Sequence, residues 1–219
     1  MKILYKFPTR ARSHKLFACL DNIQRMATYG NYQIAITADI DDVSMMNPEV
    51  RDNINSYKNV SLLYGTSLNK VDAINRDLPF YTDWDILINM SDDMQFIQHG
   101  FDTKIVEDFK VHGLDTLMHY PDQAAGKALI TMAIMGRTNF ERDGYIYNNE
   151  YKSLFCDNEQ HIVAQLRGTY VFKRTRLFNH MHPAWGLAPV DDLMRHTESF
   201  YAEDKATFER RKSLNFGIK

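Results

Sequence analysis

Up to Met90 the chain alternates repeatedly between short apolar runs of strand character and segments of helical spacing, and this alternation restricts the fold more than any other feature. Residues 2–6, 32–38, 60–64 and 84–90 read as strands. Residues 13–28, 48–57 and 71–77 read as helices, the first with Leu16, Phe17, Leu20, Ile23 and Met26 on one face and the second opened by an Asn47 cap. Parallel neighbours need a crossover, and a crossover helix must bury its apolar face on the sheet it spans. The expected fold class is therefore α/β, with a mainly parallel central sheet flanked by helices. Further on the pattern weakens to a helix over 100–112, a short strand centred on Leu117, a strand over 131–135, a helix over 159–166 and a last strand over 170–173.

The fourth apolar run ends in Ser91-Asp92-Asp93. Adjacent carboxylates at the end of a buried strand repel unless they are solvated, share a proton or bind a cation. Hard oxygen ligands select Mg²⁺ or Mn²⁺, ions that also grip phosphate oxygens. In open parallel sheets, ligands sit beyond the carboxyl ends of the strands. Here those ends carry Thr9-Arg10, Asp39, residues 65–70 and Asp92-Asp93, so four loops converge on one rim. The combination points to chemistry on a diphosphate.

Composition narrows the classes. A chain of 219 residues that is 44% hydrophobic buries one sizeable core, and the absence of repeats or linkers argues for a single domain over 1–219. A formal net charge of -2 gives no overall field for a polyanion, so nucleic acid is not indicated as a partner. Cys19 and Cys156 have neither CxxC nor CxH spacing, which supports no disulfide framework and no zinc site. No apolar run approaches the roughly 18 residues of a spanning helix, and the amino terminus is too short and interrupted for a signal peptide. A soluble, cytoplasmic protein is expected.

The Asp39 turn, the segment Leu68-Asn-Lys-Val-Asp-Ala-Ile-Asn-Arg-Asp-Leu78 and Ser91-Asp92-Asp93 together resemble, in order and spacing, the nucleotide-sugar-binding half of GT-A glycosyltransferases of the family-2 type. The resemblance covers residues 1–95 well and 150–219 more loosely; the stretch from about 100 to 145 carries no motif of that family. It implies a single GT-A-type, Rossmann-like domain with a nucleotide-sugar-binding half over 1–95 and an acceptor half with a carboxyl-terminal segment over 96–219. In such enzymes the first loop and the acidic end of the second strand hold the nucleoside. That places Thr9 or Arg10 near the base and Asp39 on a uracil or ribose. Asn69, Lys70 and Asn75, with Ala73 and Arg76, match the helix that faces the nucleotide, Lys70 as a point charge on phosphate. Serine stands where the family's Asp-x-Asp has its first acid, which leaves Asp93 as the direct metal ligand and Asp92 as a ribose or supporting partner.

For the second half the resemblance implies that Phe155-Cys-Asp-Asn-Glu-Gln160 opens the acceptor-facing helix, with Asp157 or Glu159 as general base. It also implies a late histidine on the metal, His182 ahead of His180, and a basic cluster, Arg210, Arg211 and Lys212, closing over the diphosphate. Trp185 is placed to stack on a sugar or to pack. Each position has a plainer reading: Asp41 and Asp42 as a solvated turn, Asp157 and Glu159 as a capped first turn, Arg210 and Arg211 as a solvated tail. The implied activity is metal-dependent, inverting transfer from a nucleoside-diphosphate sugar, UDP-linked by expectation, to a hydroxyl acceptor. Nucleotidyl transfer is the rival on the same fold, although Phe7-Pro-Thr-Arg-Ala-Arg12 has no glycine to cradle a triphosphate. A non-catalytic nucleotide- or glycan-binding domain is the other alternative.

Overall fold

The computed structural model describes residues 1–218. Its strands are Ile3–Pro8 (β1), Tyr32–Asp39 (β2), Val60–Gly65 (β3), Ile86–Asn89 (β4), Met94–Phe96 (β5), Leu117–His119 (β6), Ile134–Gly136 (β7), Tyr170–Phe172 (β8) and Phe178–His180 (β9). Its α-helices are Ser13–Met26 (α1), Pro48–Ser56 (α2), Lys70–Asn75 (α3), Phe101–His112 (α4), Arg137–Glu141 (α5), Cys156–Leu166 (α6), Asp192–Glu198 (α7) and Tyr201–Ser213 (α8). Seven strands form one sheet in the order β3-β2-β1-β4-β7-β6-β8, in which only β7 runs against its neighbours. β5 and β9 pair antiparallel as a separate ribbon. The expected mainly parallel α/β sheet is present.

Strand alternation divides the core in two. Ile3, Tyr5 and Phe7 of β1, Ile34 and Ile36 of β2, and Ile86 and Ile88 of β4 pack with Leu16, Leu20 and Ile23 of α1 and with Phe101, Ile105 and Phe109 of α4. Leu4, Ala35 and Leu87 point the other way, onto Val71 and Ile74 of α3, Ala164 of α6 and Phe208 of α8. Among the described residues no helix is long and apolar enough to cross a membrane.

The boundaries differ from expectation where side chains bind backbone. α1 stops at Met26 rather than at 28, because the Asp102 carboxylate accepts from the Thr28 and Tyr29 amides. The strand expected over 131–135 is shifted to β7, with the Thr131 hydroxyl held by Asp122 at 2.8 Å in the preceding loop. β8 is not the last strand. β9 follows it, and both members of the β5–β9 ribbon are three residues long, too short to show a period.

Candidate active site

The second face of the sheet changes character toward the carboxyl ends of its strands. Lys6 follows Leu4 on that face of β1, Thr37 follows Ala35 on β2, and Asn89 follows Leu87 on β4; all three are buried. Above them a cleft of about 620 Å³ opens, with Thr37 and Asn89 in its wall. Apolar alternation that turns polar at the strand ends is what positions the site.

Thr9, Arg10 and Asp39 line one end of this cleft. Arg10 reaches both Asp39 Oδ2, at 3.0 Å, and Asp41, at 2.7 and 2.8 Å. Arg76 holds the other oxygen of Asp39 at 2.9 Å and also donates to the Ala38 carbonyl and the Ser67 hydroxyl. A Cβ at Gly65 would lie 2.8 Å from the Arg76 guanidinium carbon, so glycine there is what admits the arginine. Asp42 is turned away from the cleft and accepts from the Ala11, Ser44 and Met45 amides; it closes its own turn but is buried, not solvated as the plainer reading has it.

The acidic pair separates into two environments. Asp92 meets Arg12 at 2.9 Å, and Arg12 in turn bonds Asp191, the cap of α7, at 2.6 and 2.8 Å. Burial raises the Asp92 carboxyl and Arg12 only partly offsets it. Asp93 faces His180, with Nε2 3.4 Å from Oδ1, and His182 stands beside them; ligand atoms of the three residues all lie within 4.8 Å of one another. Burial would raise Asp93 too, but His180 and His182 outweigh it and hold the carboxyl well below its usual range. Alternate residues of an extended segment point apart, and His180 and His182 would do so in a continued strand. β9 instead ends at His180 and the chain turns into a 3₁₀ helix at Pro183, which brings the two rings to 5.1 Å.

This cluster fits a divalent cation. Asp93 Oδ1 is buried without a hydrogen bond among the described residues, an arrangement that is costly unless something positive meets it. A carboxylate oxygen beside imidazole nitrogen is a donor set that divalent metals accept.

Asp157 also lines the cleft, from the first turn of α6, where burial raises its carboxyl against the pull of Lys70 and of the Asn158 amide. Lys70 and Asn69 line the same cleft, as do Trp185, Phe200 and Tyr201. Asn69 Oδ1 caps α3 by accepting from the Asp72 amide at 2.9 Å, so half of its side chain is committed to the helix.

Four expected site residues lie elsewhere. Glu159 is buried under Arg211, which donates to it at 2.7 and 2.8 Å, and accepts from the Tyr151 hydroxyl at 2.8 Å. Its two-residue offset from Asp157 turns it to the far side of α6, which corrects its candidacy as general base. Arg210 and Arg211 pair with Glu150, so the basic cluster locks α8 to the body and does not close over the cleft; it is the start of α8 that faces the cleft, through Tyr201. Asn75 does not reach the cleft, because its amide brackets the backbone of Ile146 and Tyr147. Sequence reasoning gave no role to Arg12, Asp122 or Asp191. Arg12, one turn after β1, carried a usable signal as a cation beside an acidic strand end; Asp122 carried none. Both cysteines are buried, free thiols, and burial pushes Cys19 up to about 12, in keeping with an inert group.

No protein-family model matches the chain, and no curated protein matches its sequence. Solved structures do match. The mannosyltransferase PcManGT from Pyrobaculum calidifontis, in complex with GDP-Man and Mn²⁺, is 15% identical with a TM-score of 0.61, over 80% of this chain and 55% of that one. TarS 1-349 from S. aureus in complex with UDP is 14% identical with a TM-score of 0.63, over 100% and 76%. The complex of the same protein with UDP-GlcNAc gives 13% and 0.57, over 91% and 66%. The chain has the GT-A glycosyltransferase fold. The cleft lies at the carboxyl ends of β1, β2 and β4, where open parallel sheets bind their ligands. The chain spans little more than half the length of PcManGT.

Proposed function

We propose that the protein is a metal-dependent glycosyltransferase that moves a sugar from a nucleoside-diphosphate donor to a hydroxyl acceptor. The observation that carries this reading is the cluster of Asp93, His180 and His182 in the wall of a cleft at the ends of the parallel strands. PcManGT is described with GDP-Man and Mn²⁺ and TarS with UDP and UDP-GlcNAc, which supports a nucleoside-diphosphate sugar as the donor class. We take UDP as the first candidate.

In this reading Asp39, held by Arg10 and Arg76, accepts from a base imide or a ribose hydroxyl with lone pairs its two guanidinium partners leave free. Asp93, with a histidine beside it, would hold Mn²⁺ or Mg²⁺, and the bound ion would neutralise charge on the departing diphosphate. Lys70, in the same cleft, adds a point charge. Asp157 takes the proton of the acceptor hydroxyl. Burial raises its carboxyl, which makes it a stronger base than a solvated aspartate. A base on the face opposite the leaving group gives inversion. Arg12 bridges Asp92 and Asp191 and so fixes the first loop against the segment before α7.

A melting screen with UDP, GDP, CMP and TDP, each with and without Mn²⁺, tests the reading. A ligand at one hundred times its Kd stabilises by about 2.7 kcal/mol, several degrees for a chain of this size. The expected result is a rise with one diphosphate that depends on Mn²⁺ and is lost in Asp93→Ala. No rise with any nucleotide, with or without Mn²⁺, ends the proposal.

A further inference from the structure

The loop that precedes β7 is built around one carboxylate. Asp122 has no exposed side-chain surface. Its Oδ1 accepts from the Ala124 amide at 2.8 Å and the Ala125 amide at 2.6 Å, and its Oδ2 accepts from the Thr131 hydroxyl at 2.8 Å. The same Oδ2 lies 3.6 Å from His180 Nδ1, an ion-pair distance, and that buried nitrogen has no hydrogen bond to any other described residue. The neighbouring Gln123 clamps the His180 backbone from both sides, donating to its carbonyl at 2.8 Å and accepting from its amide at 2.9 Å. Residues 122 and 123 thus fix both the main chain and the ring of one histidine.

The two histidines beside Asp93 are not equivalent in consequence. A neutral imidazole carries one proton, and the nitrogen without it is the one that can bind a cation. His182 Nδ1 accepts from the Ala184 amide at 3.2 Å, so in the neutral ring its proton sits on Nε2 and neither nitrogen has a free lone pair. In His180 the carboxylate of Asp122 faces Nδ1 at 3.6 Å and can hold a proton there, so that Nε2, the atom that faces Asp93, is the nitrogen left for a cation once the ring gives up its second proton. We propose that Asp122 is a positioning residue that fixes the orientation and tautomer of His180, and that His180, not His182, joins Asp93 in holding the divalent cation. The loop of residues 121–131 is then the outer support of the metal site, and such partners are worth tenfold to a hundredfold in metal affinity.

This rests on the metal-dependent reading of the cleft, and the test separates the two. Mn²⁺ alone is titrated into the full chain and into His180→Ala, His182→Ala and Asp122→Asn. Affinity is read by electron paramagnetic resonance, and the directly bound nitrogen by its electron spin echo modulation. Asparagine can keep its Oδ1 on the Ala124 and Ala125 amides while its NH₂ faces His180, which turns the ring to the Nε2–H tautomer. The expected result is a directly bound ¹⁴N in the unaltered chain and in His182→Ala, and none in His180→Ala. Asp122→Asn loses the nitrogen signal and binds Mn²⁺ about 10–100-fold more weakly in the folded protein. A purely structural Asp122 would lower the melting temperature and leave the nitrogen signal intact in the folded fraction, which overturns the positioning role. A signal that survives His180→Ala and vanishes in His182→Ala overturns the ligand assignment, and this comparison stands even if Asp122→Asn does not fold. If the unaltered chain binds no Mn²⁺, the metal-dependent reading itself fails and this inference falls with it.

Discussion

In residues 1–95 Thr9 and the acidic side chains at the cleft sit at or just beyond the ends of parallel strands, whereas in residues 96–219 His180 and Asp157 reach it from segments whose backbone is tied to a buried polar side chain. Thr9, Asp39 and the Asp92-Asp93 pair belong to the first kind, positioned by a register that burial enforces along β1, β2 and β4. His180 and Asp157 belong to the second. Asp122 and Gln123 carry His180, and Asp204 carries the approach to α6 by accepting from the Lys152, Ser153 and Leu154 amides at 2.8, 2.8 and 2.7 Å. A register is shared by many residues and tolerates single changes. A loop held by one carboxylate concentrates the same positioning in one side chain.

The sharpest separation is expected within α6. Asp157→Asn should lower turnover of a nucleotide sugar by about 10²–10⁴-fold, the usual contribution of a positioned base, with stability unchanged. Glu159→Gln should leave turnover within severalfold but lower stability by about 1–3 kcal/mol, because Arg211 loses its buried charge partner. Product release assays and denaturant melts on both variants check this. If Glu159→Gln were the inactive one, the two acids would have to exchange roles.

The next effect tests loop support directly. Asp204 is fully buried, and Asp204→Ala strands three backbone amides. At about 1–3 kcal/mol for each unpaired group, a loss of about 3 kcal/mol or more is expected. Arg10→Ala, at a strand end in the first half, should cost under about 1 kcal/mol, since Arg10 and Asp41 are exposed and the buried Asp39 keeps Arg76 as its partner. Equal costs, measured by urea unfolding, would erase the distinction between the halves.

The same distinction decides what could be read from sequence. The strands and α-helices up to β4 were legible, because a run such as Ile86-Leu87-Ile88 is apolar throughout and helices such as α1 repeat at helical spacing. The rim that carries Thr9, Arg10, Asp39, Lys70 and Asp93 followed from those strand ends. β5 and β9, three residues each, have no period to detect, and Asp122 works only through partners from residue 124 to residue 180 that no local pattern links to it. Glu159 and Asp157 look alike in sequence; two positions apart on a helix, they face opposite environments, and only packing tells them apart.

A smaller effect concerns pH. Burial would lower His180, but Asp122 and Asp93 outweigh it and hold its pKa at about 9, above the ordinary 6.5. A folded-state pKa raised in this way stabilises fully below pH 6.5, and the contribution is lost as pH rises through about 9. The metal-free protein should therefore lose about 1–3 kcal/mol over that interval. His180→Ala should flatten the slope. Mn²⁺ affinity should move the opposite way and strengthen as pH rises, since the cation must displace a proton from Nε2. A melting profile across this range that is the same for the parent chain and His180→Ala would mean that the two carboxylates do not hold the ring charged.

The smallest effect sets a bound on the carboxyl-terminal helix. Arg210 and Arg211 are adjacent and both pair with Glu150, but Arg210 is 54% exposed while Arg211 is 12% exposed and also bonds Glu159. Arg210→Ala should change stability by about 0–0.5 kcal/mol, the worth of an exposed pair, and should leave the donor KM where it was. If that KM rose by tenfold, α8 would have to swing its carboxyl end toward the cleft during turnover, breaking the Arg211–Glu159 bonds as it moved. Arg211→Ala would then raise KM as well, whereas a fixed α8 predicts that it lowers stability and leaves KM alone. The pair of variants therefore separates a lock from a lid without reference to the rest of the site.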